Sequence, residues 1–337
     1  MPGYFIAEPP KIEVFDDKIL KNAQAKKLIQ DIPTVLSNET KELALKVVHL
    51  SLQEARAGKI VSREKIREVV AKLVEETITR HDSSLLNLMD IRTHDKYTFS
   101  HSINVCTLAI LIGIKQKLKR KELEDLALGA LLHDVGKVMI NLEILDKPEK
   151  LSLFEFEEIK KHPIYSYNIL SREEDISEIS RMVAYSHHER YDGGGYPQGL
   201  TGDKIPQLAV VTSIADVYDA LTTDRPYRKS LLPYDAMRII ISHTYSDFSV
   251  DVVKSFLRAM SIYPLGSLVR LNTKEIGLVI KVNERAIIRP TIRLLIDSQG
   301  EMLPLSKVED IDLIKDMSRF IIEPAGEEVF TKKEEHR

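Results

Sequence analysis

The chain has 337 residues, 48 basic and 51 acidic side chains, and a formal net charge of -3, so no overall field draws it to a nucleic acid polymer or an anionic membrane. Its single cysteine, Cys106, excludes an internal disulfide, and its longest aliphatic stretch, Leu108 to Ile114, is too short to cross a bilayer. Without a basic-then-apolar leader, the expectation is a cytoplasmic chain, not associated with a membrane, with room for one large domain and one small one.

Residues 1–37 carry breakers at Pro9, Pro10 and Pro33 and show no periodic face. From Asn38 apolar residues recur at helical spacing (Leu43, Val47, Leu50), and Gly58 stands where a terminator belongs. Ser62 is placed to cap the next helix, which carries Ile66, Val69, Val70, Leu73 and Val74. After a polar stretch near residues 92–96 the pattern resumes through Ile103, Leu108, Leu111 and Ile112. Further helices are expected over 119–134, 154–161, 163–171, 174–187, 207–222, 234–243 and 249–260, with Pro163, Pro206 and Pro233 at entry positions. After Tyr263-Pro264 the texture changes to β-branched runs of strand length, SLVRLN, IGLVIKV, AIIRPTIRLLI and RFIIEP, separated by Asn, Gly and Asp. The fold class is therefore mainly α, a helical bundle with a small C-terminal β-rich unit. The expected divisions are an N-terminal regulatory or linker segment (1–61), a helical domain (62–262), the β-rich unit (263–330) and a charged tail (331–337).

Five of the ten histidines form a spaced series with two aspartates: His101, His133, Asp134, His162, His187, His188 and Asp216. Neutral imidazoles and carboxylates suit divalent first-row metals, and two metals about 3.5 to 4 Å apart clamp both oxygens of a displacement at phosphorus. Adjacent helical residues point about 100° apart, so His133 and Asp134 address neighbouring metals if the carboxylate bridges. His187 and His188 pose the same problem where a helix gives way to YDGGGYP. Asp216 lies in the apolar helix LAVVTSIADVYDAL, where an unpaired buried carboxylate is costly and a metal would compensate it. His49, His81, His94, His243 and His336 lack such context and read as surface or hydrogen-bonded residues; Cys106, in an apolar helix, reads as a buried inert thiol.

Three separated motifs, LLHDVGK, HHERYDGGGYP and ADVYDALTTDRPYR, closely resemble those of the HD-GYP family, the branch of the HD phosphohydrolases that hydrolyses the bacterial messenger cyclic di-GMP. The resemblance runs from about Arg63 to Tyr263, and YPLGSLVRLN looks like the extension that follows this domain in family members. It implies an HD-domain helical bundle in which the seven residues of the series bind metal, with Asp134 bridging. It further implies that Lys137 acts with Asp134 at the scissile phosphate, that Tyr196 meets the nucleotide, and that Asp219, Arg225 and Arg228 engage guanine or phosphate. Each of the last three has an ordinary alternative: the arginines follow a helix end whose carbonyls they suit, and Asp219 suits Arg225 as an ion-pair partner. Family members that hold a third metal place a glutamate four residues before the first histidine, where this chain has Tyr97. Two divalent ions are therefore expected, iron favoured and manganese second, with pGpG a safer product than GMP.

The implied chemistry is hydrolysis: water held between two cations loses a proton readily and attacks opposite the leaving 3′ oxygen. Glu189, beside the double histidine, either supports the ligands from behind, faces solvent or caps the helix. Two other functions stay open. A diiron oxygenase on the same fold would consume oxygen, and a catalytically silent receptor would bind cyclic di-GMP without turnover. A second copy, docked through the N-terminal helices, is an open partner.

Overall fold

The computed structural model describes residues 35–59, 63–80, 97–145, 147, 149–223, 230–231, 233–260, 263, 266–283, 286 and 288–325. Ser62, His81, His94, Arg225, Arg228 and His336 lie outside the described residues.

Helix α1 (Asn38–Arg56) starts where the Ser37 hydroxyl accepts the Thr40 N–H at 3.2 Å, and it stops just before Gly58, whose φ of 67° suits a residue without a Cβ. Helix α2 (Arg63–Arg80) buries Ile66, Val69, Val70, Leu73 and Val74. Helix α3 (Tyr97–Lys115) is buried on every side without interruption from His101 to Gly113, its polar His101, Ser102, Asn104 and Thr107 included. Such a helix must be enclosed, and it is, by α1, α2, α4 (Arg120–Leu131), α9 (Gln207–Thr222) and α11 (Val250–Ala259). Between α4 and α9 run a 3₁₀ turn (Val135–Met139), α5 (Leu142–Leu145), α6 (Leu153–Ile159), α7 (His162–Leu170) and α8 (Glu178–Ser186); α10 (Pro233–Ser242) precedes α11. Val47, Val48 and Ala55 of α1 belong to the same apolar core as α3 and α4. Cys106 is buried in that core, where desolvation pushes its thiol well up and keeps it unreactive.

Two helices depart most from expectation, both by being shorter. The one expected over 119–134 ends at Leu131, so His133 and Asp134 lie in a turn instead of on adjacent helical positions. The cause is tertiary: the Gly136 N–H donates to Ser166 Oγ at 2.8 Å, and Ser166 Oγ donates to the His133 carbonyl at 2.7 Å, which pulls the chain off the helical path against α7. The one expected from 174 starts at Glu178, because Ser177 Oγ accepts the Ser180 N–H at 3.2 Å.

The C-terminal strands β1 (Leu268–Leu271), β2 (Ile276–Lys281), β3 (Thr291–Ile296), β4 (Asp310–Asp312) and β5 (Ile321–Pro324) form an antiparallel sheet in the order β4-β3-β2-β1-β5. Its own core contains Val269, Leu271, Leu278, Val279 and Ile292. β4 escaped the sequence reading because Asp-Ile-Asp offers one apolar residue; Ile311, opposite Ile292, supplies the buried contact. Among the described residues no helix is long and apolar enough to cross a membrane.

Candidate metal centre

The seven expected ligands converge from α3, the α4 turn, α7, the end of α8 and α9. His133 and His187 are fully buried, and His101, Asp134, His162 and Asp216 are also buried. The side chains form two groups whose ligand atoms lie within 4.8 Å of one another: His101, His133 and Asp134, and His162, His187 and His188. Asp216 joins the first group, with Oδ1 3.2 Å from His101 Nε2. Asp134 lies between the groups. Its Oδ2 is 3.3 Å from His133 Nε2 and 3.8 Å from His101 Nε2, while its Oδ1 is 3.2 Å from His162 Nε2.

Helix ends explain how three of these rings are aimed. The last carbonyls of a helix have no partner within it. His133 Nδ1–H donates to the Ala130 carbonyl at 2.7 Å, His162 Nδ1–H to Ile159 at 2.7 Å and His187 Nδ1–H to Ala184 at 2.8 Å, each acceptor lying in the last turn of α4, α6 or α8. With Nδ1 as donor, each ring turns an Nε2 lone pair inward. His162 Nε2 and His187 Nε2 then face each other 3.3 Å apart as two acceptors, and His133 Nε2 and Asp134 Oδ1 are buried without a hydrogen-bond partner. Inward-facing lone pairs and an unsatisfied carboxylate oxygen in a dry site are what a divalent cation completes, so the residues fit metal.

The charge states agree. Burial, reinforced by the neighbouring rings, pushes His187 well down and His188 down to about 3, leaving neutral imidazoles; burial also lowers His162. Burial opposes ionisation of Asp134 and Asp216, but Lys137 and His133 for the first, and His101 for the second, hold both well below the ordinary carboxylate range. His101 differs: burial pulls it down, yet hydrogen bonds to Asp216 and Asp219 outweigh this and hold it up at about 10.

Lys137 Nζ donates to Asp134 Oδ2 at 2.6 Å, and its side chain is one-third exposed, on the accessible side of the centre. The Tyr196 ring stacks on His188, with centroids 4.7 Å apart, and Lys160 Nζ lies 5.5 Å above the same ring. Glu189 is buried and accepts the Gln198 N–H at 2.7 Å and the Leu200 N–H at 2.8 Å, so it braces the loop that carries Tyr196. That loop needs Gly195, where a Cβ would meet the Arg190 nitrogen at 2.3 Å. Asp219, expected on the nucleotide, is only 2 % exposed and faces inward to His101 and Asn104. Arg225 and Arg228 lie outside the described residues. Asn104, Ser166 and Thr223 were missed by the sequence reading, since a buried Asn or Ser in an apolar helix, or a half-buried Thr just past a helix end, carries no local signal of a site.

Residues 41–251 match the HD domain family model, and residues 268–333 match a KOW domain associated with the HD domain. The chain belongs to the HD domain family. It is 32% identical over 274 residues to a cyclic di-GMP phosphodiesterase of Pseudomonas aeruginosa, covering 81% of this chain and 66% of that protein. It is 31% identical over 226 residues to a cyclic di-GMP phosphodiesterase of Thermotoga maritima, covering 64% of this chain and 61% of that protein. The chain thus spans no more than about two thirds of either relative. Its fold is similar to that of an HDG"Y"P protein from Bdellovibrio bacteriovorus, with a TM-score of 0.54, 20% identity, and 72% and 80% of the two chains covered.

Proposed function

We propose that the chain is a metal-dependent phosphodiesterase that hydrolyses cyclic di-GMP to pGpG. The observation that carries this reading is Asp134, one buried carboxylate with an oxygen turned to each of two groups of imidazoles. His101, His133, Asp134 and Asp216 would hold one cation, and His162, His187, His188 and Asp134 the other. Iron is favoured and manganese second. Bound divalent ions supply Lewis acidity toward phosphoryl oxygens and lower the pKa of water.

The protein's own residues supply the rest. The Lys137 ammonium stands beside the bridging carboxylate, at the open side, where it neutralises charge that builds on the phosphoryl group. Tyr196, backed by His188, offers a ring face and a hydroxyl to the nucleotide, and burial pushes that hydroxyl far up, so it stays a hydrogen-bond donor. Arg225 and Arg228 are assigned to phosphate or guanine by their place in the RPYR motif. The names of the relatives support the substrate, and the paired cation groups support hydrolysis.

Elemental analysis of the purified protein, run beside chromatography of products from cyclic di-GMP, tests the reading. Two metals per chain and pGpG are the expected result; chelator-stripped protein should lose turnover and regain it with manganese or anaerobic ferrous iron. Stripped protein that still hydrolyses the nucleotide, or loaded protein that binds it without turnover, would overturn the proposal. A separate expectation concerns Lys137→Met: kcat should fall about 10²-fold, as for loss of one oxyanion donor, with the metal content unchanged. Full kcat in that variant would remove Lys137 from the phosphoryl step.

A further inference from the structure

His101 is oriented differently from His133, His162 and His187. It lies inside α3, where main-chain carbonyls are engaged in the helical ladder, so no free carbonyl is available to its Nδ1–H. It donates instead to Asp219 Oδ2 at 2.6 Å, a residue 118 positions away on α9. The other Asp219 oxygen accepts from Asn104 Nδ2 at 2.8 Å and from the Thr223 hydroxyl at 3.2 Å. Asn104 lies three residues after His101 on α3, and Thr223 ends α9, so this hydrogen-bonded set ties together the two helices that contribute His101 and Asp216. With Nδ1–H held on Asp219, Nε2 is directed at Asp216 Oδ1, 3.2 Å away, and Asp134 Oδ2, 3.8 Å away, so it is the nitrogen that a cation between them would take in exchange for a proton.

We infer that Asp219, held by Asn104 and Thr223, is a positioning residue for one of the two metals, fixing the tautomer and rotation of His101. It also makes His101 a stronger electron-pair donor than His133, His162 and His187, because its partner is an anion and theirs are neutral carbonyls. This rests on the metal-centre reading above, and it moves Asp219 from nucleotide contact, the role the family resemblance implied, to ligand support. At 2 % exposure, with both oxygens engaged, Asp219 presents no face to a nucleotide.

The test is manganese binding to metal-stripped protein, by competition with a metal indicator in the absence of nucleotide. Asp219→Ala is expected to weaken manganese binding at one site about 10- to 100-fold. Asp219→Asn keeps an acceptor without its charge and should lose less, and Asn104→Ala less again. If Asp219→Ala does not fold, these two milder variants carry the test. In a His101→Ala background, adding Asp219→Ala should cause no further loss of affinity, because Asp219 acts only through that ring. Equal losses in both backgrounds would mean a merely structural role, and wild-type manganese binding with a raised KM for cyclic di-GMP would mean substrate contact; either result overturns the inference. Manganese binding is read without substrate, so the outcome stands even if the phosphodiesterase reading fails.

Discussion

Asp134→Ala is expected to abolish metal binding and turnover together. Among the described residues this carboxylate turns its two oxygens to the two ligand groups, Oδ2 toward His133 and His101 and Oδ1 toward His162. Without it the imidazoles remain, but the anion that would offset the charge of two bound cations is gone, and the Lys137 ammonium, now 2.6 Å from that oxygen, is left facing the site. Cation stabilisation at a phosphoryl group is worth several kcal/mol, and each 1.36 kcal/mol is a factor of ten, so turnover should fall by at least about 10³-fold. Asp134→Asn preserves shape and removes charge, and it should show nearly the same loss in a folded protein. Metal content and product formation measured on one preparation decide the matter: either variant retaining two metals and full activity would contradict a bridge at this position.

Gly136→Ala is expected to act on the frame of the site. A Cβ at Gly136 would lie 2.1 Å from the His162 carbonyl oxygen and 2.4 Å from the Ser166 nitrogen. Both are main-chain atoms of α7, so no side chain can swing aside. The turn bearing His133 and Asp134 must move away from the helix bearing His162. Overpacking of this kind costs about 1–3 kcal/mol, occasionally more, and the melting temperature of the metal-free protein should drop by roughly 5–10 °C. Because the displacement separates the residues proposed to hold the cations, the rise in melting temperature on adding manganese should shrink as well. A melting curve that overlays the parent's, with and without metal, would show that the close contact does not hold the ligands in register.

Much of the molecule is legible in one dimension because its signals are local. Helical periodicity marks α1 to α4, and the change to β-branched runs after Tyr263 marks the sheet. The ligand series is legible because few side chains bind divalent metals, and His-Asp and His-His pairs beside glycine-rich turns are rare together. Other features depend on contacts that no local period encodes. The end of α4 at Leu131 depends on Gly136 and Ser166, and β4 exists because Ile311 meets Ile292. Glu189 turns inward to the loop amides of Gln198 and Leu200 instead of toward solvent.

Asp219 shows the division most plainly. By itself the sequence determined the metal-ligand donor set, since the donor atoms, their number and their motif order are properties of residue types along the chain. Only the tertiary structure decided which atom serves which partner: whether a carboxylate faces a nucleotide or an imidazole depends on how α9 lies against α3, and that packing is set by apolar residues throughout the core. Hydrogen bonds reach only about 3 Å, so residues 118 positions apart acquire a joint role when folding brings them together, and not before.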